Sequence, residues 1–346
     1  MSETASASLL PAYIRSRISV VKSALFDSRR AHEAATAWAV FQINWVITAA
    51  FWIAFGLCLL VTDFRAEPMS YLVVLSISAI YGYIGYANAR SSQRAKPWIF
   101  SLLTGISQSI LASVVLASLS YIATAANLRL QDANLLAIDE LLGYDFRSFL
   151  GYVNGRPWII TILAFGYRSI SLTIFVIVLA LPLSGNYRRL AEFNLASSLA
   201  LATTCCITLL VPAIGVYHAL GLFPSDYPNI VPQAFYDSAH GMILVRDGTL
   251  RLLDPRSLAG IVTFPSYHAA AAVLDCWALW PVRWLRPFNA FTNGAMLLST
   301  PIGGGHYLVD VIAGIIIAIV TILAARSIAC RQSDRIKAAS LGGYSS

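Results

Sequence analysis

Apolar runs long enough, or nearly long enough, to cross a bilayer recur along this chain with short polar breaks between them. A helical crossing takes about 20 apolar residues. Such runs lie at about 38–62, 69–88, 98–124, 158–183, 194–220, 259–281, 287–300 and 307–327, the seventh being the shortest. The pattern predicts an all-α polytopic membrane protein with about eight transmembrane helices. Before the first run, Leu9, Leu10, Tyr13, Ile14, Ile18, Val21 and Leu25 recur at roughly helical spacing among Arg15, Arg17, Lys22, Arg29 and Arg30. That spacing predicts an amphipathic helix on the membrane surface, with a disordered tail as the equal reading for the first ten residues. The first long apolar run begins near Ala37 and is too long for a cleavable signal peptide.

Composition agrees. The chain is 58% hydrophobic and 12% charged, whereas a soluble domain carries about 25% charged residues. A soluble fold would leave several 20-residue apolar stretches unplaced. The net charge of +7 bears on topology and does not point to nucleic acid. With the N-terminus inside, sixteen of the 24 basic residues fall in inner segments and seven in outer ones, while Arg168 lies inside the fourth span. The imbalance predicts both termini in the cytoplasm. Cys58, Cys205, Cys206, Cys276 and Cys330 lie in or beside apolar runs without metal-ligand spacing, so they read as packing residues.

Two outer segments are long. In 125–157, Leu135, Ile138, Leu141 and Leu142 predict a short amphipathic helix facing the membrane and ending at Gly143. Residues 221–258, rich in Pro, Tyr, Asp and Arg, read as a lid or binding loop.

The candidate chemistry sits at the edges of the last apolar runs. His306 and Asp310 are four residues apart, which on a helix is one turn along one face. A carboxylate there can bind one ring nitrogen and leave the other as nucleophile or base. His268, after Pro265 and Ser266, supplies a candidate acid. Ser266 reads as an N-cap, a phosphate ligand or both. Gly303, Gly304 and Gly305 offer backbone N–H groups to an anion. Two histidines and a carboxylate at a membrane surface suggest phosphoryl or acyl transfer.

Pro265-Ser266-Tyr267-His268 followed by Ser299-x6-His306-x3-Asp310 resembles the second and third motifs of the type 2 phosphatidic acid phosphatase superfamily. The spelling Phe-Pro-Ser-Tyr-His and Gly-Gly-His-Tyr-x-x-Asp is similar to its inositol phosphorylceramide synthase branch. The resemblance is tight over about 264–314 and weaker back to about Leu130. It implies a six-helix core within 98–328, preceded by a cytoplasmic segment (1–37) and two added helices (38–97) and followed by a cytoplasmic tail (329–346). It also implies metal-independent transfer of a phosphate or phospho-headgroup through a phosphohistidine, with no cofactor. His306 would be the nucleophile, Asp310 its orienting partner and His268 the acid and base. Ser266, Tyr267, Thr300, Gly304, Gly305 and Arg168 are the candidate substrate-binding residues. The implied partners are membrane lipids: a phospholipid or lipid phosphate donor, with a polyol, a sphingoid lipid or water as acceptor. The expected setting is a bacterial inner membrane with the site on its extracytoplasmic face. The remaining alternative is an inactive relative that binds or transports a lipid.

The chain departs from the family pattern in its cations. Thr300 stands where an arginine follows the serine of the third motif. The first motif, Lys-x6-Arg-Pro, is absent, and the corresponding stretch reads Val211-Pro212-Ala213-Ile214-Gly215-Val216-Tyr217. A transferring phosphoryl group needs donors. Arg168 is the first substitute, or else the ion-pair partner of Asp275, with Arg246, Arg251 and Tyr217 behind it.

Overall fold

The computed structural model of the chain describes residues 12–91, 96–258 and 260–342, without the side chains of 12–27 and 340–342. Thirteen α-helices account for nearly all regular structure among them: α1 (Ala12–Val61), α2 (Pro68–Arg90), α3 (Pro97–Ala125), α4 (Asp132–Leu141), α5 (Phe146–Asn154), α6 (Pro157–Arg168), α7 (Ile170–Leu183), α8 (Tyr187–Leu210), α9 (Val216–Ala219), α10 (Gln233–Arg246), α11 (Tyr267–Leu279), α12 (Arg286–Gly304) and α13 (Leu308–Gly342). The all-α polytopic class predicted by the apolar pattern is the observed one. Helices α1, α2, α3, α8 and α13 are long and apolar enough to cross a bilayer, and α6 with α7 passes the same test only as a pair bent by 52°, the form of a broken span or a re-entrant loop. The predicted sixth span is shorter as a helix, because Pro265 and the Ser266 cap delay its start to Tyr267. At 13 residues α11 is only about 20 Å long. The predicted fifth span ends at Leu210, because Val211-Pro212 cannot continue the helix. Leu9 and Leu10 of the predicted surface helix lie outside the described residues. From Ala12 on, that segment is the beginning of α1, since no Gly or Pro interrupts the chain before Gly56.

Hydrogen bonds between side chains and backbone tie the spans together inside the apolar layer, where few competing partners exist. Gln108 of α3 accepts from Asn44 of α1 at 2.8 Å and donates to the Phe41 carbonyl at 2.8 Å. Ser107 of α3 donates to the Ser78 carbonyl of α2, and Asn194 of α8 to the Gly105 carbonyl of α3. At the end opposite the motifs, His32 of α1 bonds Ser333 of α13 at 2.7 Å. The early part of α1 and the late part of α13 therefore meet at one end of the bundle.

The segment 221–258 is a structured cap rather than an open loop. It holds α10 and a two-residue strand, β2 (Leu252–Leu253), paired in parallel with β1 (Arg65–Ala66) between α1 and α2. An Arg251–Asp63 ion pair of 2.7 Å flanks that pairing. The α4 helix ends at Leu141, with Gly143 at positive φ beyond it. Leu135 turns into the protein, while Ile138, Leu141 and Leu142 remain exposed. The face predicted to meet the membrane is therefore three residues rather than four.

Candidate active site

The two motifs meet where α11 and α13 begin. The carbonyl of Ser266 lies so close to Gly314 that a Cβ there would overlap it, so glycine sets the distance between the helices. The Ser266 N–H donates to the Asp310 carbonyl at 3.1 Å, which fixes the two helix starts in register. The Thr208 hydroxyl of α8 holds the Phe264 carbonyl at 2.8 Å from the other side.

His306 is not on the helix with Asp310. It lies in the link Gly305–Tyr307 between α12 and α13, and Asp310 sits in the first turn of α13. The imidazole is 3% exposed. Its Nδ1 is 2.8 Å from the Thr263 carbonyl and 3.3 Å from Asp310 Oδ2. Both neighbours are acceptors, so Nδ1 carries the proton and donates to them. Nε2 is left with its lone pair. The carbonyl is the nearer acceptor, so Asp310 shares the orienting role that the spacing assigned to it alone. Asp310 Oδ2 also accepts the Tyr307 N–H at 3.0 Å, and its Oδ1 is buried without a partner among the described residues.

Nε2 lies close against Gly304, with the Tyr167 hydroxyl on the far side of that glycine. A Cβ on Gly304 would lie 2.8 Å from Nε2 and 2.8 Å from the Tyr167 hydroxyl. The Tyr167 ring stacks on His268, with centroids 4.1 Å apart and planes 16° apart. His268 and His306 are within electrostatic reach of each other. Tyr167 therefore packs against both His268 and the Gly303–Gly304 backbone that adjoins His306. The glycine triplet has a separate reason at each position. Gly303 lies under the Tyr167 ring, Gly304 leaves room beside Nε2, and Gly305 takes φ +67° where α12 ends.

Several predicted site residues lie elsewhere. Ser266 is fully buried, and its hydroxyl accepts the Ala269 N–H at 3.3 Å. It is a cap. Thr300 is fully buried and donates to the Leu297 carbonyl within α12. Tyr267 lines a separate small cavity with Asp275 and bonds Ser197. Arg168 is exposed at the end of α6 and forms no ion pair with Asp275, whose carboxylate accepts the Thr173 hydroxyl at 2.8 Å. The ion-pair reading fails because the α6–α7 bend brings Thr173 to Asp275. The bend also leaves Tyr167, rather than Arg168, beside the histidines. Tyr217 is buried and donates to the Ile302 carbonyl, Arg246 donates to Leu128, and Arg251 is held by Asp63.

Four residues had no role in the motif reading, although the weaker family likeness ran through Asp139: Thr263, Tyr167, Asp132 and Asp139. The last two are seven apart, hence on one face of α4. Asp139 accepts the N–H groups of Leu308 and Val309 at 2.7 and 2.9 Å, and Asp132 accepts the Tyr307 hydroxyl at 2.9 Å. The start of α13 is thus already occupied and is not the open anion site suggested by the glycines. The first N–H groups of α11, on Tyr267 and His268, have no intrahelical acceptor. An apolar face interrupted by two carboxylates at i and i+7 was the available signal for α4.

Comparison with curated proteins and with solved structures gave no match. The family model of the PAP2 superfamily matches residues 133–324, from the first turn of α4 into α13 and across every residue of the site described above except Asp132, which it just misses. That span is more than half of the chain and includes both motifs in order, on a membrane-spanning helical scaffold. Membership supports a phosphatase-like enzyme acting on lipid phosphates, and the chain belongs to the PAP2 superfamily.

Proposed function

We propose that the protein is a membrane-embedded phosphotransferase that works through a phosphohistidine on His306. The observation carrying this reading is the fixed tautomer: Nδ1–H donates to Thr263 and Asp310, which leaves the Nε2 lone pair free beside Gly304, with Tyr167 stacked on His268 nearby. The Nε2 lone pair attacks phosphorus, the bond from phosphorus to the leaving alcohol breaks, and His268 protonates the departing oxygen. The acceptor hydroxyl then gives its proton to His268 and attacks phosphorus. The P–N bond breaks and its electron pair returns to Nε2. Asp310 stabilises the imidazolium character of both steps. The ring of Tyr167 stacks on His268 and fixes the plane of its imidazole.

A phosphodiester donor suits this site better than a phosphomonoester. The arginines singled out as cation substitutes are exposed or engaged elsewhere, and three carboxylates surround the link that carries His306. A monoester dianion needs cationic neutralisation that a diester monoanion needs less. The acceptor is a lipid or polyol hydroxyl, with water as the competitor. The setting we propose is the extracytoplasmic side of a bacterial inner membrane, a reading supported by the charge imbalance.

The test uses vesicles containing the protein, supplied with a phospholipid labelled at its headgroup phosphate or with labelled phosphatidic acid. Faster turnover of the diester, with label moving to an added lipid alcohol or polyol, is the expected result. Faster turnover of phosphatidic acid with release of inorganic phosphate would establish the phosphatase instead.

A further inference from the structure

The link Gly305–His306–Tyr307 has no regular structure, yet the nucleophile it carries must hold one pose. The residues on either side of His306 are fixed through α4. Asp132 accepts the Tyr307 hydroxyl at 2.9 Å and also the N–H groups of Ile214 and Gly215, the latter at 2.8 Å. The next residue, Val216, donates its N–H to the Gly305 carbonyl at 2.8 Å. These bonds close a ring: from Asp132 to the 214–216 backbone, to Gly305, through His306 to Tyr307, and back to Asp132. Asp139, two turns along the same face, takes both leading N–H groups of α13 with its two carboxylate oxygens. That holds the helix start from which Asp310 reaches His306.

We propose that α4 is a positioning arm, with Asp132 and Asp139 setting the pose of His306 for attack. This rests on the reading of His306 as nucleophile. Both side chains are buried, at 8% and 1% exposure, which is costly for carboxylates unless strong bonds compensate. Each accepts at least two N–H or O–H groups, and each group belongs to the link or to the segment that braces it. An amide could not replace Asp139 in kind, because its NH2 would face one of the two N–H donors. Neither carboxylate bonds the His306 ring, whose partners are Thr263 and Asp310, so they act through the backbone that carries His306.

The test compares the full-length protein in detergent with its Asp132→Asn, Asp139→Asn and Tyr307→Phe variants. Three readouts are taken: thermal melting, cleavage of a headgroup-labelled phospholipid, and carbethoxylation of His306 by diethyl pyrocarbonate. Peptide mass spectrometry reads the modification, with exposed His240 as internal reference. Tyr307→Phe removes one hydroxyl and keeps the ring, so it remains informative if a charge variant fails to fold. The arm predicts that kcat falls about 100-fold in Asp139→Asn and about tenfold in Tyr307→Phe, on the scale of charged and neutral hydrogen bonds. KM should change less than kcat, and His306 modification should change several-fold relative to His240. Melting loss with unchanged kcat and unchanged His306 reactivity would overturn the proposal. Altered His306 reactivity in the variants of a protein that cleaves no phospholipid would uphold the arm and reject the enzyme reading.

Discussion

The carbonyl of Thr263 accepts the Nδ1 proton of His306 at 2.8 Å, closer than the carboxylate of Asp310 at 3.3 Å. Two acceptors therefore share the work of holding one tautomer. Where a carboxylate is the sole partner, its amide replacement costs about 10⁴-fold in kcat by admitting the wrong tautomer.

Asp310→Asn should accordingly cost less, roughly 100-fold in kcat, because the Thr263 carbonyl still selects Nδ1–H. A steady-state assay on a headgroup-labelled phospholipid measures this. A loss of the full size would mean that the carbonyl does not control the ring.

Gly304→Ala tests the space in front of the nucleophile. The added methyl would lie 2.6 Å from His306 Cδ2 and 2.8 Å from Nε2. Overpacking of this kind costs about 1–3 kcal/mol, more than the helix preference of alanine returns at the end of α12, so stability should fall modestly. Turnover should drop by more than about 100-fold, since small misplacements of reacting atoms are that costly. Melting curves beside kinetic runs separate the two effects.

Tyr167 carries two contacts that can be removed separately. Tyr167→Phe keeps the stack on His268 and loses the hydroxyl beside Nε2. It should slow turnover about tenfold, the scale of one hydrogen bond. Tyr167→Ala also removes the stack and should shift the pH at which His268 works, read from the kcat profile.

The α4 carboxylates supply a pH signature. Burial raises the Asp139 carboxyl above its ordinary value, although two backbone N–H bonds oppose the shift. As pH falls through that raised value, protonation removes one acceptor from the start of α13, and activity should fall. Stability moves the other way. A group whose folded pKa exceeds its unfolded one binds protons more tightly when folded, so it adds stability as pH drops. An acidic loss of activity without a matching loss of melting temperature is expected. Tyr144, Tyr307 and Asp310 also face Asp139, so the limb is assigned by its absence in Asp139→Asn.

The legible parts of the chain were those written in local pattern. Apolar periodicity yields the spans, because a bilayer demands them of any sequence. The histidines and Asp310 stood out because polar groups at the edge of apolar runs are costly. The rest depends on long-range geometry. The bend at Ser169 decides that Tyr167 meets His268 while Arg168 stays outside. No local rule announces that Ser266 and Thr300 spend their hydroxyls on backbone groups, or that Asp139 caps a helix 169 residues away. The short α11 was hidden because its apolar run continues upstream into non-helical chain.

The central claim is that His306 Nε2 becomes covalently phosphorylated. Wild-type protein mixed with a phospholipid labelled at its headgroup phosphate, quenched early and resolved under alkaline conditions, should retain label that is stable to base and lost in acid. Peptide mapping should place it on His306, and His306→Ala should carry none while still folding. Full turnover by His306→Ala, or label that survives acid and maps elsewhere, would contradict the account.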